Sequence, residues 1–155
     1  MKKVLIALDY DPTAEKIAET GFLLAKTMKA KVTLLHIISE VDFYYSPEYS
    51  SMGFTGDIAS YPLQIENVDQ LRKTAQDFLN NTKSHLGDTD IQTVVKEGRP
   101  TESILETAKE LEVDIIVMGS HSRKWLEKIV MGSATESVLR KTCIPLFIVP
   151  TKNSD

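Results

Sequence analysis

The chain has 155 residues, enough for one compact domain and too few for two of ordinary size. Hydrophobic residues make up 42% and charged residues 26%, a balance that excludes intrinsic disorder. The net charge of −4 excludes the broad basic field that grips a nucleic-acid backbone, although a few local cations could still hold a small polyphosphate. The single cysteine, Cys143, rules out an intrachain disulfide, and its place beside the apolar run from Ile144 predicts a buried, inert thiol. The apolar stretch after Lys2-Lys3 is too short for a secretion signal, and no segment has the length of a membrane helix. A cytoplasmic protein is expected.

In chain order, Val4 to Leu8 is a continuous apolar run, as in a strand covered on both faces. The turn Asp9-Tyr10-Asp11-Pro12 follows, then a helix to about Ala30 with Ile17, Leu24, Ala25 and Met28 on one face. Lys31 to Ile38 is the second strand. A helix from Ile65 to Leu86 carries Leu71, Ala75, Phe78, Leu79 and Leu86 on one stripe, with Gly87 as its stop.

The third strand is expected over Ile91 to Val95. Pro100 opens a helix lined by Ile104, Leu105, Ala108 and Leu111. Asp114 to Met118 is the fourth strand, running into Gly119. Ser133-Ala134-Thr135-Glu136 has the form of a capping box and starts a helix to about Lys141. Leu146 to Val149, between Pro145 and Pro150, is the fifth strand. Strands alternating with helices predict an α/β fold, a single domain with a parallel sheet and helices on both faces.

One stretch departs from this rhythm. Between Ser39 and about Gln64 there is no periodicity, yet it holds Phe43, Tyr44, Tyr45, Tyr49, Phe54 and Tyr61. Six of the chain's eleven aromatic residues are too many for a purely solvated linker, which suggests a lid or a docking surface. A loop packed weakly on its own domain is the alternative.

Ligands of open parallel sheets bind at the carboxyl ends of the strands. The richest such junction is the fourth. There Gly119-Ser120-His121-Ser122 leads into Arg123 and Lys124, and Met131-Gly132-Ser133 opens the next helix. A helix N-terminus offers unpaired N–H groups and a partial positive charge to a phosphate. Gly132 lets backbone approach an anion, and the Ser133 and Thr135 hydroxyls can donate to it. Ser133 capping its own helix needs no ligand at all, and stands as the alternative.

Gly119-Ser120-His121-Ser122, nine residues, then Gly132-Ser133 resembles the nucleotide signature of the universal stress protein family. That signature is glycine, two residues, glycine, nine residues, glycine, then serine or threonine. The strings Val4 to Asp9, Leu35-His36, Glu97-Gly98-Arg99-Pro100, Asp114 to His121 and Ser133 to Val149 are also similar to that family. The resemblance implies an open, Rossmann-like sheet of five strands in the order 3-2-1-4-5. It also implies ATP binding and a homodimer formed through Leu146 to Val149. Carried over by position, Ala7 and Asp9 lie near the adenosine and Ile37 offers its backbone to the adenine. Gly119 and His121 line the ribose and phosphate path, and Met118, Ser122 and Arg123 belong to the same nucleotide-binding set. Gly132, Ser133, Ala134 and Thr135 hold the phosphates. Ser122 departs from the pattern, because the family has its second glycine there.

Three functions follow from the resemblance and its departure: an ATP-dependent regulatory module of the stress response, a slow ATPase, or a dimeric interaction protein that has lost its nucleotide. AMP or ADP could replace ATP, and Mg²⁺ could accompany it. No base stands ready to activate a nucleophile, and the loop lacks the Gly-Lys-[Ser/Thr] ending of a P-loop, which argues against vigorous hydrolysis. Asp9 and Asp11 could flank a magnesium ion, but Asp11 before Pro12 reads better as a turn residue. His36, in an apolar strand, is expected in the core or pocket wall. One cysteine, with His85 and His121 at no ligand spacing from His36, makes no zinc site.

Overall fold

The computed structural model describes residues 1–39, 65–120 and 133–151. In chain order these form β1 (Lys3–Ala7), α1 (Ala14–Thr27), β2 (Lys31–Ile38), α2 (Ile65–Leu86), β3 (Gln92–Glu97), α3 (Pro100–Glu110), β4 (Ile115–Gly119), α4 (Ser133–Lys141) and β5 (Leu146–Val149). The strands make one parallel sheet in the order β3-β2-β1-β4-β5, as expected. The aromatic stretch after Ser39 lies outside the described residues. Among the described residues, no helix is long and apolar enough to cross a membrane.

β1 occupies the centre of the sheet, which explains why its run is apolar without alternation. Val4, Ile6 and Leu8 pack with Ile17, Ala18 and Ala25 of α1 and Leu79 of α2. Leu5 faces the other way, with Ile104 and Ala108 of α3 and Val138 of α4. Both faces of the strand are therefore dry, and each fully buried Leu or Ile contributes roughly 2 kcal/mol. Helix α1 lies close to the sheet because position 21 is glycine. A Cβ there would meet Ile6 Cδ1 at 2.8 Å and Val117 Cγ1 at 3.1 Å.

Two helices end earlier or more abruptly than composition suggests. α1 stops at Thr27 rather than near Ala30, because Lys29 takes a left-handed φ of 53°. The Lys29 N–H then donates to Lys26 O and the Ala30 N–H to Ala25 O, the two bonds of a Schellman closure. α3 ends the same way, with Glu112 at φ 53°, its N–H on Lys109 O and the Val113 N–H on Ala108 O. In α2 the stop is the expected Gly87, at φ 74°.

Two further expectations need correction. β3 runs from Gln92 to Glu97, two residues beyond the apolar stretch. Lys96 and Glu97 can belong to it because β3 is an edge strand: their backbones pair with Ile37 and Ile38 while their side chains reach Glu110 and Arg72. Cys143 is exposed, not buried. It lies in the turn between α4 and β5, where the Thr142 hydroxyl both accepts from Ile144 N–H and donates to Ile144 O, and the core contacts pass to Ile144 and Leu146.

Candidate functional site

The connection after β1 crosses to β2 by way of α1, whereas the connection after β4 leads to β5 by way of α4. The carboxyl ends of β1 and β4 thus lie side by side with their chains diverging to opposite faces. That divergence is the switch point at which open α/β sheets take ligands.

The chain leaves β1 under tight control. Leu8 N–H donates to Leu35 O at 2.8 Å, and Leu8 O accepts from His36 Nδ1 at 2.8 Å. A carbonyl can only accept, so Nδ1 carries the proton. His36 is 1% exposed, and Tyr10 packs on it with ring centroids 4.4 Å apart. Phe78 of α2 closes the cluster, 5.1 Å from the Tyr10 ring and 5.8 Å from His36. His36 is thus buried, in keeping with its apolar strand. Between these anchors comes Asp9, whose Oδ1 accepts from Tyr10 N–H at 2.9 Å.

Asp11 has the turn role. Its Oδ1 accepts from Thr13 N–H at 2.8 Å and from the Thr13 hydroxyl, and its carbonyl accepts from Ala14 N–H at 2.9 Å. One oxygen of the carboxylate thus serves the turn that starts α1.

Ala7, Ile37 and Met118 come together on the face shared with α3 and α4. Ile37 and Met118 are core members there and Ala7 packs against them. Three separate strands thereby supply one small apolar wall at the carboxyl end of the sheet. Beside it, Gly98 takes φ 139°, which only glycine adopts without strain, and donates its N–H to Ile38 O at 3.0 Å.

At the end of β4, Gly119 is required for packing. A Cβ at this position would come within 2.3 Å of Ile17 Cδ1 and 3.0 Å of Thr151 Cγ2. The Gly119 carbonyl accepts the Thr135 hydroxyl at 2.8 Å, with Thr135 only 1% exposed. This bond brings the first turn of α4 against the end of β4. Because the Thr135 hydroxyl proton is committed to Gly119, any contribution of Thr135 to an anion would come from its backbone amide.

Of the residues singled out from sequence, Ala7, Asp9, Ile37, Met118, Gly119 and the α4 N-terminal backbone of Ser133, Ala134 and Thr135 gather at this end of the sheet. His121, Ser122, Arg123 and Gly132 lie outside the described residues. Sequence reasoning missed the bonds of Ser120. Its N–H donates to Val149 O at 2.9 Å, its Oγ accepts from Thr151 N–H at 3.0 Å, and its Oγ is 3.0 Å from Thr151 Oγ1. Thirty-one residues separate the partners, and no local pattern announces such a pair.

The fold has counterparts among solved structures. Residues 1–150 match the model of the universal stress protein family. The chain belongs to the universal stress protein family. It is 34% identical to universal stress protein MJ0577 of Methanocaldococcus jannaschii, over 99% of this chain and 97% of that one. The solved structure of MJ0577 superposes with a TM-score of 0.75 at 32% identity, covering 99% and 98% of the two chains. Stress response protein NhaX of Bacillus subtilis is 30% identical over 95% of this chain and 96% of its own. At 15% identity, a likeness of fold alone, the universal stress protein of Archaeoglobus fulgidus solved in complex with dAMP superposes with a TM-score of 0.61, over 96% and 97% of the chains.

Proposed function

We propose that this universal stress protein binds ATP at the β1/β4 switch point and acts as a nucleotide-dependent regulatory module of the cytoplasmic stress response. The observation that carries the proposal is the convergence of an apolar wall, a carboxylate and a helix N-terminus at one end of the sheet. Each suits a different part of an adenine nucleotide.

The wall of Ala7, Ile37 and Met118 would take the adenine, with the Ile37 backbone offering the directional bond. Asp9, held after β1 by the Leu8 and Tyr10 contacts, would accept from ribose hydroxyls. The first amides of α4, at Ser133, Ala134 and Thr135, would receive the phosphates with the help of the helix dipole. His121, Ser122, Arg123 and Gly132 complete the set on the resemblance of their spacing. The dAMP complex of the Archaeoglobus relative supports a nucleotide as the class of ligand. Mg²⁺, if it accompanies ATP, would be held by the phosphates rather than by Asp11, whose Oδ1 is engaged by Thr13.

The same chain would pair with a second copy through β5. This strand is a sheet edge, and Phe147 on it is 39% exposed. Joining the edge to its symmetry mate would satisfy open backbone groups and cover that ring.

Protein purified from cells, denatured and cleared should release an adenine nucleotide on ion-exchange chromatography, close to one per chain. Absence of any nucleotide, together with a melting temperature unmoved by added ATP-Mg²⁺, would overturn the proposal.

A further inference from the structure

The last turn of α2 meets the start of α1 through three side chains that the nucleotide reading does not use. Glu15 and Glu19 are four residues apart on α1, which puts them one turn apart on the same face. His85 lies in the last turn of α2, and its Nε2 is 2.7 Å from Glu19 Oε1 and 3.0 Å from Glu15 Oε1. One ligand atom from each of the three falls within 4.8 Å of the other two. The helices that carry them are fixed by the core, where Leu79 of α2 packs with Ala18 and Ala25 of α1. Sequence spacing gave no hint of the cluster, because 66 residues separate Glu19 from His85.

A single proton on Nε2 can point at only one acceptor, yet two carboxylate oxygens crowd that nitrogen. A metal ion suits this arrangement better, because it takes lone pairs from several sides at once. Neighbouring ligands of a six-coordinate ion with bonds of about 2.1 Å stand about 3.0 Å apart. The two nitrogen–oxygen separations, 2.7 and 3.0 Å, are close to that spacing.

We propose that Glu15, Glu19 and His85 form a surface site for a divalent transition-metal ion of the zinc class, which clamps the end of α2 to α1. The imidazole ligand favours such an ion over Mg²⁺ and Ca²⁺, which take oxygen ligands. All three side chains are about half exposed or more, so a hydrated ion can reach them and water can fill its remaining positions. Without metal, the protonated ring is the cation between the two carboxylates. On binding, the Nε2 proton leaves to solvent, its lone pair turns to the metal, and Nδ1 keeps its hydrogen. The site shares no residue with the proposed nucleotide set and stands or falls independently of it.

Untagged full-length protein, stripped of metal and nucleotide, should be titrated calorimetrically with zinc chloride in a buffer that does not bind the metal. A Cys143→Ser background removes the exposed thiol as a competing ligand. One zinc ion per chain should bind, and the melting temperature should rise with zinc concentration. Losing a group that merely supports a ligand costs about 10–100-fold in metal affinity, so losing a ligand should cost at least as much. His85→Ala should therefore lose the saturable heat, and Glu15→Gln and Glu19→Gln should each weaken zinc by at least about tenfold. The fold should persist by circular dichroism, because the three side chains are exposed. Zinc should also shift the ring-proton NMR signals of His85 in the unaltered chain, and an excess of Mg²⁺ should not displace it. Failure to bind zinc, equal binding by folded His85→Ala or by both glutamine variants, an unmoved His85 signal, or displacement by Mg²⁺ would each overturn the proposal.

Discussion

The Thr135 hydroxyl donates to the Gly119 carbonyl at 2.8 Å, across a sequence separation of sixteen residues and in a buried setting. This bond joins the two ends of the loop that carries the family's glycine signature. Thr135→Val keeps the side-chain shape and leaves that carbonyl without the hydroxyl. A buried acceptor left unpaired costs about 1–3 kcal/mol. Urea denaturation should show a loss of this size, and the variant should bind ATP more weakly than the wild type. Unchanged stability would mean that the α4 N-terminus is held by other contacts.

Gly119→Ala tests why the signature begins with glycine. The new Cβ would fall 2.3 Å from Ile17 Cδ1, an overpacking expected to cost about 1–3 kcal/mol. Ile17→Val removes that δ-carbon and alone should cost about 0.5–1.5 kcal/mol. The double variant should be more stable than the sum of the two losses predicts, because the closest approach, to Ile17 Cδ1, is gone while those to Thr151 Cγ2 at 3.0 Å and Ile17 Cγ1 at 3.1 Å remain. Additive losses in thermal or chemical melts would show that Gly119 is glycine for another reason.

The helix closures at Lys29 and Glu112 should be improvable. Each holds a left-handed φ of 53° with a β-carbon in place. Glycine relieves about 1–2 kcal/mol of steric cost there and adds about 0.5–1 kcal/mol of chain entropy to the unfolded state. Lys29→Gly and Glu112→Gly should each raise stability by about 0.5 kcal/mol, read as a higher urea midpoint at constant slope. A fall in either midpoint would contradict the closure described.

Most of the fold was legible because burial on two faces writes continuous apolar runs, and β1 and β2 carry such runs. The stripe of α2 was equally plain, from Leu71 to Leu86. The misjudged positions share a cause, namely that local composition does not record the neighbour. Lys96 and Glu97 look like loop residues, but β3 is an edge where charge is tolerated. Cys143 sits beside an apolar run, but in the turn before it. At the candidate site, spacing revealed the Gly119 and Ser133 junctions. It could not show that Thr135 points at Gly119 or that Ser120 meets Thr151, since both pairs depend on distant elements meeting at β4.

His85 supplies a pH-dependent contact away from the site. Its Nε2 lies 2.7 Å from Glu19 and 3.0 Å from Glu15, joining the end of α2 to α1. The hydrogen bond to Glu19, and then the charge of Glu15, raise its pKa above the usual 6.5. A raised value means that folding favours the protonated ring. The stabilisation is complete below about pH 6.5 and fades as pH rises through the raised value. Wild type should therefore exceed His85→Ala in stability at acidic pH, with the gap closing toward alkaline pH. A constant gap, or an NMR titration of His85 at or below its ordinary value, would contradict this.

The proposed function puts an adenine nucleotide at the β1/β4 switch point with its phosphates on the α4 N-terminus. The most direct measurement is calorimetric titration of nucleotide-stripped protein with ATP-Mg²⁺, on the wild type and on Gly132→Val. The wild type should saturate at one ATP per chain, and Gly132→Val should show no saturable heat while retaining its fold by circular dichroism. An absence of binding by the wild type, or equal binding by the folded variant, would contradict the account.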